Sequence, residues 1–409
     1  MNPSILSLLG LILSITIGIV AKINIGLLAI GMAFIVGLAI KMDTKAIVAS
    51  WPNSLFMMLF GMSLLFGIAS ANGTLKRLVE KSANGLKGHV RFLPLLLFFT
   101  TAIIAALGPG NIAMVAMMMP LAMALAKEEK ISQLLVAAMV ILGANAGGLS
   151  PLAPTGIIAS NLAKQDGLQI SYTLFRDMLF ISTFFGIATY ILMKGYKIPH
   201  NPVINENVAK PFTSKQKTTL AVILMAVLAI IFGWNIALTA FLASGCLLLL
   251  RVTTEKEALS QVPWSAILLV CGVALMISIV DKTRGMDIII AALSRFTNER
   301  TAGPIMAFLG GLMSLVSSAS GVVLPTLIPT VKGVSAQVGG AVRPEALISA
   351  LVIGSHLVSP CPFSTLGALV IASAGSGREK DILFPKLILS GLLYLVIGTI
   401  ISYFIVFLY

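Results

Sequence analysis

Leu107-Gly108-Pro109-Gly110-Asn111-Ile112 interrupts the centre of an apolar segment, residues 92–126, and Ser317-Ser318-Ala319-Ser320-Gly321 interrupts a second one, 303–335. Hydrocarbon supplies no water to free N–H and C=O groups, so irregular backbone at that depth survives only against protein or a wet cavity. Each segment therefore reads as a re-entrant hairpin whose arms enter and leave on one side. Two further breaks follow the hairpins, Gly147-Gly148-Leu149-Ser150-Pro151-Leu152-Ala153-Pro154-Thr155-Gly156 and Ser359-Pro360-Cys361-Pro362-Phe363-Ser364-Thr365.

Working outward, the breaks belong to an internal repeat. Trp51-Pro52-Asn53-Ser54 opens an apolar run containing Gly61, and Pro263-Trp264-Ser265 opens one containing Gly272, 211 residues later. Pro120 pairs with Pro329, and Ser150-Pro151 with Ser359-Pro360, at a spacing of 209, a register with one two-residue slip. Apolar runs long enough to cross a bilayer fall at 4–21, 23–40, 54–72, 132–146 continuing to 163, 177–195, 217–232, 235–251, 264–281, 345–358 continuing to 375, and 384–408. With the hairpins entering and leaving on one side, the chain crosses five times between Pro52 and Pro263, so the second copy is inverted relative to the first. The expected fold is an all-α polytopic membrane protein of about ten transmembrane spans and two re-entrant hairpins in two inverted repeats, 1–195 and 217–409, joined by a cytoplasmic linker at 196–216 with hairpins at 92–126 and 303–335 and broken helices at 132–163 and 345–375.

Composition agrees. The 409 residues are 58% hydrophobic and 11% charged, with mean hydropathy +1.01, which excludes a soluble fold. The net charge of +13 reflects Lys and Arg in short loops, where they set orientation, and calls for no nucleic acid. The side bearing the 73–91 loop and the linker is the more basic, which predicts a plasma (inner) membrane protein with both termini outside. The first run, with no basic region ahead of it and no cleavage site, is expected to stay as a span. Cys246, Cys271 and Cys361 form no CxxC or His/Cys cluster, so neither a disulfide framework nor a structural metal site is expected.

At each break two half-helices meet, aiming N–H groups and the positive dipole end at one spot and free carbonyls at another. The first suits a carboxylate and the second a hard cation such as sodium. Glycine and proline in spans also serve packing and kinks, but kinks need not recur in register. The hairpins contain no Asp or Glu, so a cation there would be held by neutral oxygens, which favours sodium with an anion over a carboxylate-based proton pump. His356, just before the second Pro-rich break, reads either as a proton-coupling or substrate-contacting group or as a hydrogen-bonded structural histidine. Met114, Met117, Met118 and Met119 suit adaptable packing better than metal binding. With three His residues in all, the chain has no nucleophile–base or metal constellation for an enzyme. A channel would ordinarily carry a continuous filter or a ring of charges.

The hairpin Gly110-Asn111-Ile112-Ala113-Met114-Val115-Ala116-Met117-Met118-Met119-Pro120 resembles the divalent-anion/sodium symporter family, whose tips read Ser-Asn-Thr before a small-residue helix and Pro. Asn111 and Pro120 match in place, and Ser320 stands where that family has its second Asn. Within the wider ion-transporter superfamily the GPGN and SSASG tips and the Ser-Pro breaks are most similar to malonate-carrier-like dicarboxylate permeases. The resemblance implies a homodimeric, elevator-type secondary transporter that holds substrate carboxylates at both tips beside sodium sites. It places Gly110, Asn111 and Ser150 in one cation cluster and Ser318, Ser320 and Ser359 in the other. Asn111, Pro154, Thr155, Ser320, Gly321, Pro362, Ser364 and Thr365 would face the anion. The expected cargo is a small dicarboxylate of the malonate, malate or succinate class, moved with sodium and no further cofactor. The alternatives are a proton-coupled carboxylate or gluconate-type permease and a sodium/proton antiporter on a related scaffold.

Overall fold

The computed structural model describes residues 2–84, 90–198, 211–315, 317–374, 377–405 and 409. All regular structure among them is helical. The principal helices of the first half are α1 (Pro3–Ala21), α2 (Ile25–Ala39), α3 (Asn53–Ala71), α4 (Leu93–Leu107), α5 (Gly110–Glu128), α6 (Gln133–Gly148), α7 (Pro154–Gln165) and α8 (Ser171–Leu192). The second half supplies α9 (Ser214–Ile231), α10 (Ile236–Leu249), α11 (Trp264–Lys282), α12 (Ala302–Leu315), α13 (Ala319–Gln337), α14 (Pro344–Leu357), α15 (Thr365–Ser373) and α16 (Gly377–Ile405). Nine helices among the described residues are long and apolar enough to cross a membrane, and they include both arms of the first hairpin, Val90–Leu107 and Gly110–Glu128. Large apolar side chains stay exposed along α1, α2, α9, α10 and α16, among them Leu9, Leu27, Leu228, Leu242 and Leu393. Such a belt is stable only against lipid or another apolar surface.

The repeat extends through the whole fold. Starts of α1 and α9, α2 and α10, and α3 and α11 (3 and 214, 25 and 236, 53 and 264) differ by 211. Pro52 and Pro263 share one backbone conformation, φ −78° with ψ 69° and 66°. The starts of α5 and α13, 110 and 319, differ by 209, but those of α6 and α14 (133 and 344) and of α7 and α15 (154 and 365) return to 211. The slip thus occurs and is then reversed. The reversal lies in the turn after α13, where Gly339 and Gly340, at φ +71° and +72°, take left-handed conformations that glycine adopts at little cost. This corrects the pairing of Ser150-Pro151 with Ser359-Pro360. Gly156 lies against the carbonyls of Leu149 and Ser150 as Gly367 lies against those of Pro360 and Cys361, so Ser150 corresponds to Cys361 and Ser359 to Gly148.

The halves are cross-paired: α2 packs on α11 and α10 on α3. A Cβ on Gly272 would sit 2.1 Å from the Gly26 carbonyl oxygen, and Gly61 faces Ala237 and Ala240 in the other half. Beside these pairs α4, α5 and α6 pack together, as do α12, α14 and α16. Here too the halves exchange partners, α5 touching α15 and α13 touching α7. The four breaks are thereby gathered at one place.

Three boundaries differ from expectation. The spans predicted from 177, 217 and 384 begin at Ser171, Ser214 and Gly377. In α8 the charged pair lies inside the helix because Asp177 is satisfied there: Arg176 donates to it at 2.7 Å, and the Ser349 and Tyr409 hydroxyls also donate to it. In α16 Glu379 meets Lys127 at 3.1 Å, and α9 opens on a capping box in which the Thr213 hydroxyl accepts from the Gln216 N–H. Most of the connector between the halves, 199–210, lies outside the described residues, as do Lys87 of the basic loop and residues 406–408 of the last span.

Candidate functional site

Both tips depart from plain helix. Gly108, at φ +147°, ends α4 so close to Phe66 that a Cβ would come within 1.9 Å of the ring, and Gly110, at φ +75°, opens α5 with room for no more than a hydrogen beside Pro154. The first tip is in this way seated on the first break. At the second tip α13 starts as a π turn, Ala319–Val323, and passes through a 3₁₀ turn, Ile328–Thr330. Pro325 and Pro329 lack the N–H that a regular ladder would use. The Ser318 hydroxyl accepts from the Gly321 N–H and caps this start.

Asn111 is the junction of the four breaks. Its Nδ2 donates to Asn145 Oδ1 at 3.1 Å, while its Oδ1 accepts from the Thr155 hydroxyl at 3.2 Å and from the Ile112 N–H. Asn145, fully buried in α6, passes the connection on: its Nδ2 donates to the His356 carbonyl at 2.8 Å and reaches Ser359 Oγ at 3.4 Å. One buried amide therefore ties the first tip to the second Pro-rich break. Sequence reasoning alone does not single out Asn145. The available signal was a buried-type polar residue in the apolar run Val140-Ile141-Leu142-Gly143-Ala144-Asn145-Ala146, at the repeat position, 211 residues back, of His356.

Two cavities meet at this junction. The larger, about 490 Å³, is lined by Gly110, Asn111, Pro154, Thr155 and Ser320 together with apolar side chains of α3, α5 and α11. The smaller, about 20 Å³, is lined by Asn111, Ile112, Ser314, Ser317, Ser318, Ala319, Ser320, Ser359, Ser364, Thr365 and Leu366. Asn111 and Ser320 border both. Ser364 and Thr365 are thus placed in the small cavity and Thr155 in the large one. Ser150, Gly321 and Pro362 line neither. The Ser150 hydroxyl is committed to backbone, donating to the Ala106 carbonyl at 2.5 Å and accepting from the Leu152 N–H. Gly321 is covered by Leu269. Met114 and Met117 wall the large cavity, so the methionine run contributes to its surface as well as to packing.

In the small cavity hydroxyl oxygens are available. Ser317 and Ser364 donate to backbone carbonyls, but Ser314, Ser320 and Thr365 make no side-chain hydrogen bond to protein among the described residues. A space of this size takes about one water or one small cation. No group of three or more His, Cys, Asp or Glu able to hold a metal occurs among the described residues, so any cation here is met by neutral oxygens. His356 lies buried at the end of α14. Its Nδ1 is 2.8 Å from the Val352 carbonyl, which only accepts, so Nδ1 carries a proton and Nε2 of the neutral ring is the bare acceptor. That Nε2 is buried and unpartnered among the described residues.

Neutral breaks converging on two adjoining cavities inside a cross-paired, lipid-faced bundle fit a multi-pass membrane transporter. Residues 1–148 match the family model described as dicarboxylate carrier protein MatC N-terminus, and residues 235–407 match the model described as citrate transporter. Uncharacterized transporters of Mycobacterium bovis and Mycobacterium tuberculosis are each 22% identical, the likeness covering 73% of this chain and 72% of the relative. In fold the chain resembles the crystal structure of the Alcanivorax borkumensis YdaH transporter, described as having an unusual topology, with a TM-score of 0.58, 14% identity and coverage of 87% of this chain and 86% of that one. The matches to both halves support the malonate-carrier-like resemblance: the protein is a transporter of the general dicarboxylate and citrate type, and not an enzyme.

Proposed function

We propose that the protein is a secondary active transporter of small carboxylate anions, dicarboxylates of the malonate, malate and succinate class, coupled to sodium. The observation that carries this reading is the sharing of Asn111 and Ser320 between a cavity of substrate size and a cation-sized, hydroxyl-lined one. A carboxylate accepting from N–H and O–H groups at the tips, next to a cation held by neutral oxygens, gives binding in which each charge supports the other. Binding is then cooperative, as symport requires. The hairpins would act as re-entrant gates, and the bundle of α4–α8 and α12–α16 would slide as an elevator past α3 and α11, which wall the large cavity. The exposed apolar faces of α1, α2, α9 and α10 leave room for a homodimer contact within the lipid belt. The charge asymmetry of the loops supports a plasma-membrane location with both termini outside.

Purified protein in vesicles should take up malonate or a four-carbon diacid when an inward sodium gradient is imposed. Uptake should be lost in Asn111→Ala and Ser320→Ala. No uptake of any three- to six-carbon carboxylate under any imposed ion gradient would end the proposal. The unpartnered Nε2 of His356 favours a second reading, in which protons replace sodium. It requires uptake that follows a pH gradient without sodium and stops in His356→Gln.

A further inference from the structure

Among the described residues, none that lines the large cavity carries a charge. Apart from Asn111 and Ser320 at the tips, Thr155 in the first Pro-rich break, and Ser63, Ser70 and Gln261 elsewhere on its wall, its side chains are apolar, among them Leu59, Phe66, Met114, Met117, Ile267 and Val270. The described ionisable groups on the elements around it, Lys76, Arg77, Lys81, Lys127, Glu128, Lys164, Glu255, Lys256, Glu257, Cys271, Asp281, Lys282 and Lys332, are all absent from its lining, and His356 lines neither cavity. The adjoining hydroxyl-lined space, about 20 Å³, has room for a single small cation. One counter-charge is therefore on offer, beside one group of neutral donors.

A carboxylate at the tips is balanced by that cation. A second carboxylate on the same molecule would lie against Met, Leu, Ile and Phe side chains with no partner of opposite sign. A carboxylate held against that wall gives up part of its hydration and gains no partner of opposite sign, which favours its protonated form. The protonated carboxyl is a neutral donor and acceptor, which Ser63, Ser70 or Gln261 can bond and an apolar wall can tolerate.

We propose that the site takes its substrate as a monoanion, with one carboxylate at Asn111 and Ser320 and an uncharged remainder against the apolar wall. This rests on the carboxylate-transport reading above and narrows it. A diacid enters as its hydrogen form, and an acid with one carboxylate and an apolar arm is accepted as it stands.

The test compares a diacid, succinate, with its monomethyl ester on the purified full-length protein in saturating sodium, by ligand-induced thermal shift and by competition for uptake in vesicles. Above the second dissociation the singly charged form of the diacid falls about tenfold per pH unit. The apparent affinity for succinate should fall by that factor between about pH 7 and about pH 8, while that for the ester, singly charged throughout, stays flat. The flat ester profile separates titration of the ligand from titration of the protein. In Met117→Lys, which adds a cation to a half-exposed wall position, succinate should bind more tightly at the higher pH. Succinate affinity that holds or rises with pH in the unaltered protein, with the ester failing to compete, would overturn the inference while leaving carboxylate transport intact. Absence of binding by both ligands, and by a panel of other carboxylates, at either pH would remove the carboxylate reading and this inference together.

Discussion

At the residue scale the difference between a polar side chain that belongs to the site and one that only holds the backbone is visible in where its hydrogen bonds go. Ser150 sits in a Pro-rich break, as a ligand would, yet both capacities of its hydroxyl are used by the Ala106 carbonyl and the Leu152 N–H. Asn145 lies in the last turn of an apolar helix and nevertheless joins Asn111 to the His356 carbonyl and Ser359. Removing either side chain strands buried partners, at roughly 1–3 kcal/mol. Ser150→Ala and Asn145→Ala are therefore both expected to lower the melting temperature of the purified protein. Only Asn145→Ala should abolish the further rise produced by sodium and a carboxylate together. If both variants kept the ligand-induced shift, the buried amide would be a structural tie and nothing more.

At the element scale the fold depends on close crossings between halves. Gly272 of α11 approaches α2 so closely that a Cβ would fall 2.1 Å from the Gly26 carbonyl, a contact with rigid backbone that no rotamer change relieves. At the repeat-related crossing Gly61 leaves 3.3 Å to the Ala237 carbonyl, so a methyl group there is nearly accommodated. Gly272→Ala should accordingly destabilise the protein by about 1–3 kcal/mol, the usual scale of overpacking, and Gly61→Ala by distinctly less. Thermal unfolding in detergent measures both. Equal effects would mean that the pseudo-symmetric crossings tolerate volume alike.

On the scale of the whole molecule, elevator movement requires α7 to slide past α3. These helices touch where the Asn161 Nδ2 comes within 3.8 Å of Met58 Sδ. A Met58→Cys, Asn161→Cys pair, in a background lacking Cys246, Cys271 and Cys361, should be bridged by a short, reducible bis-thiosulfonate cross-linker. Uptake should stop when the bridge forms and return on reduction, while the thermal shift with substrate persists throughout. Continued uptake by fully cross-linked protein would exclude sliding at this surface and leave local gating by the hairpins as the route.

The sequence alone was enough for the class of fold and for the positions of the four breaks, because hydrocarbon forbids unpaired backbone and makes every Gly, Pro or Ser interruption at depth conspicuous. Periodicity and spacing carry that information locally. They could not show that the register returns to 211 after Gly339-Gly340, since a two-residue insertion in a turn leaves no trace in hydropathy. Nor could they separate Ser150 from Ser359, two serines before prolines that occupy different places in the repeat. Only the tertiary structure decided which hydroxyls are free, that Asn145 links the halves, and that an uncharged apolar wall adjoins a cation-sized space. Those properties arise where α5, α6, α13 and α14 converge from distant parts of the chain, and hydrogen-bond partnership is set by that convergence rather than by neighbours in sequence.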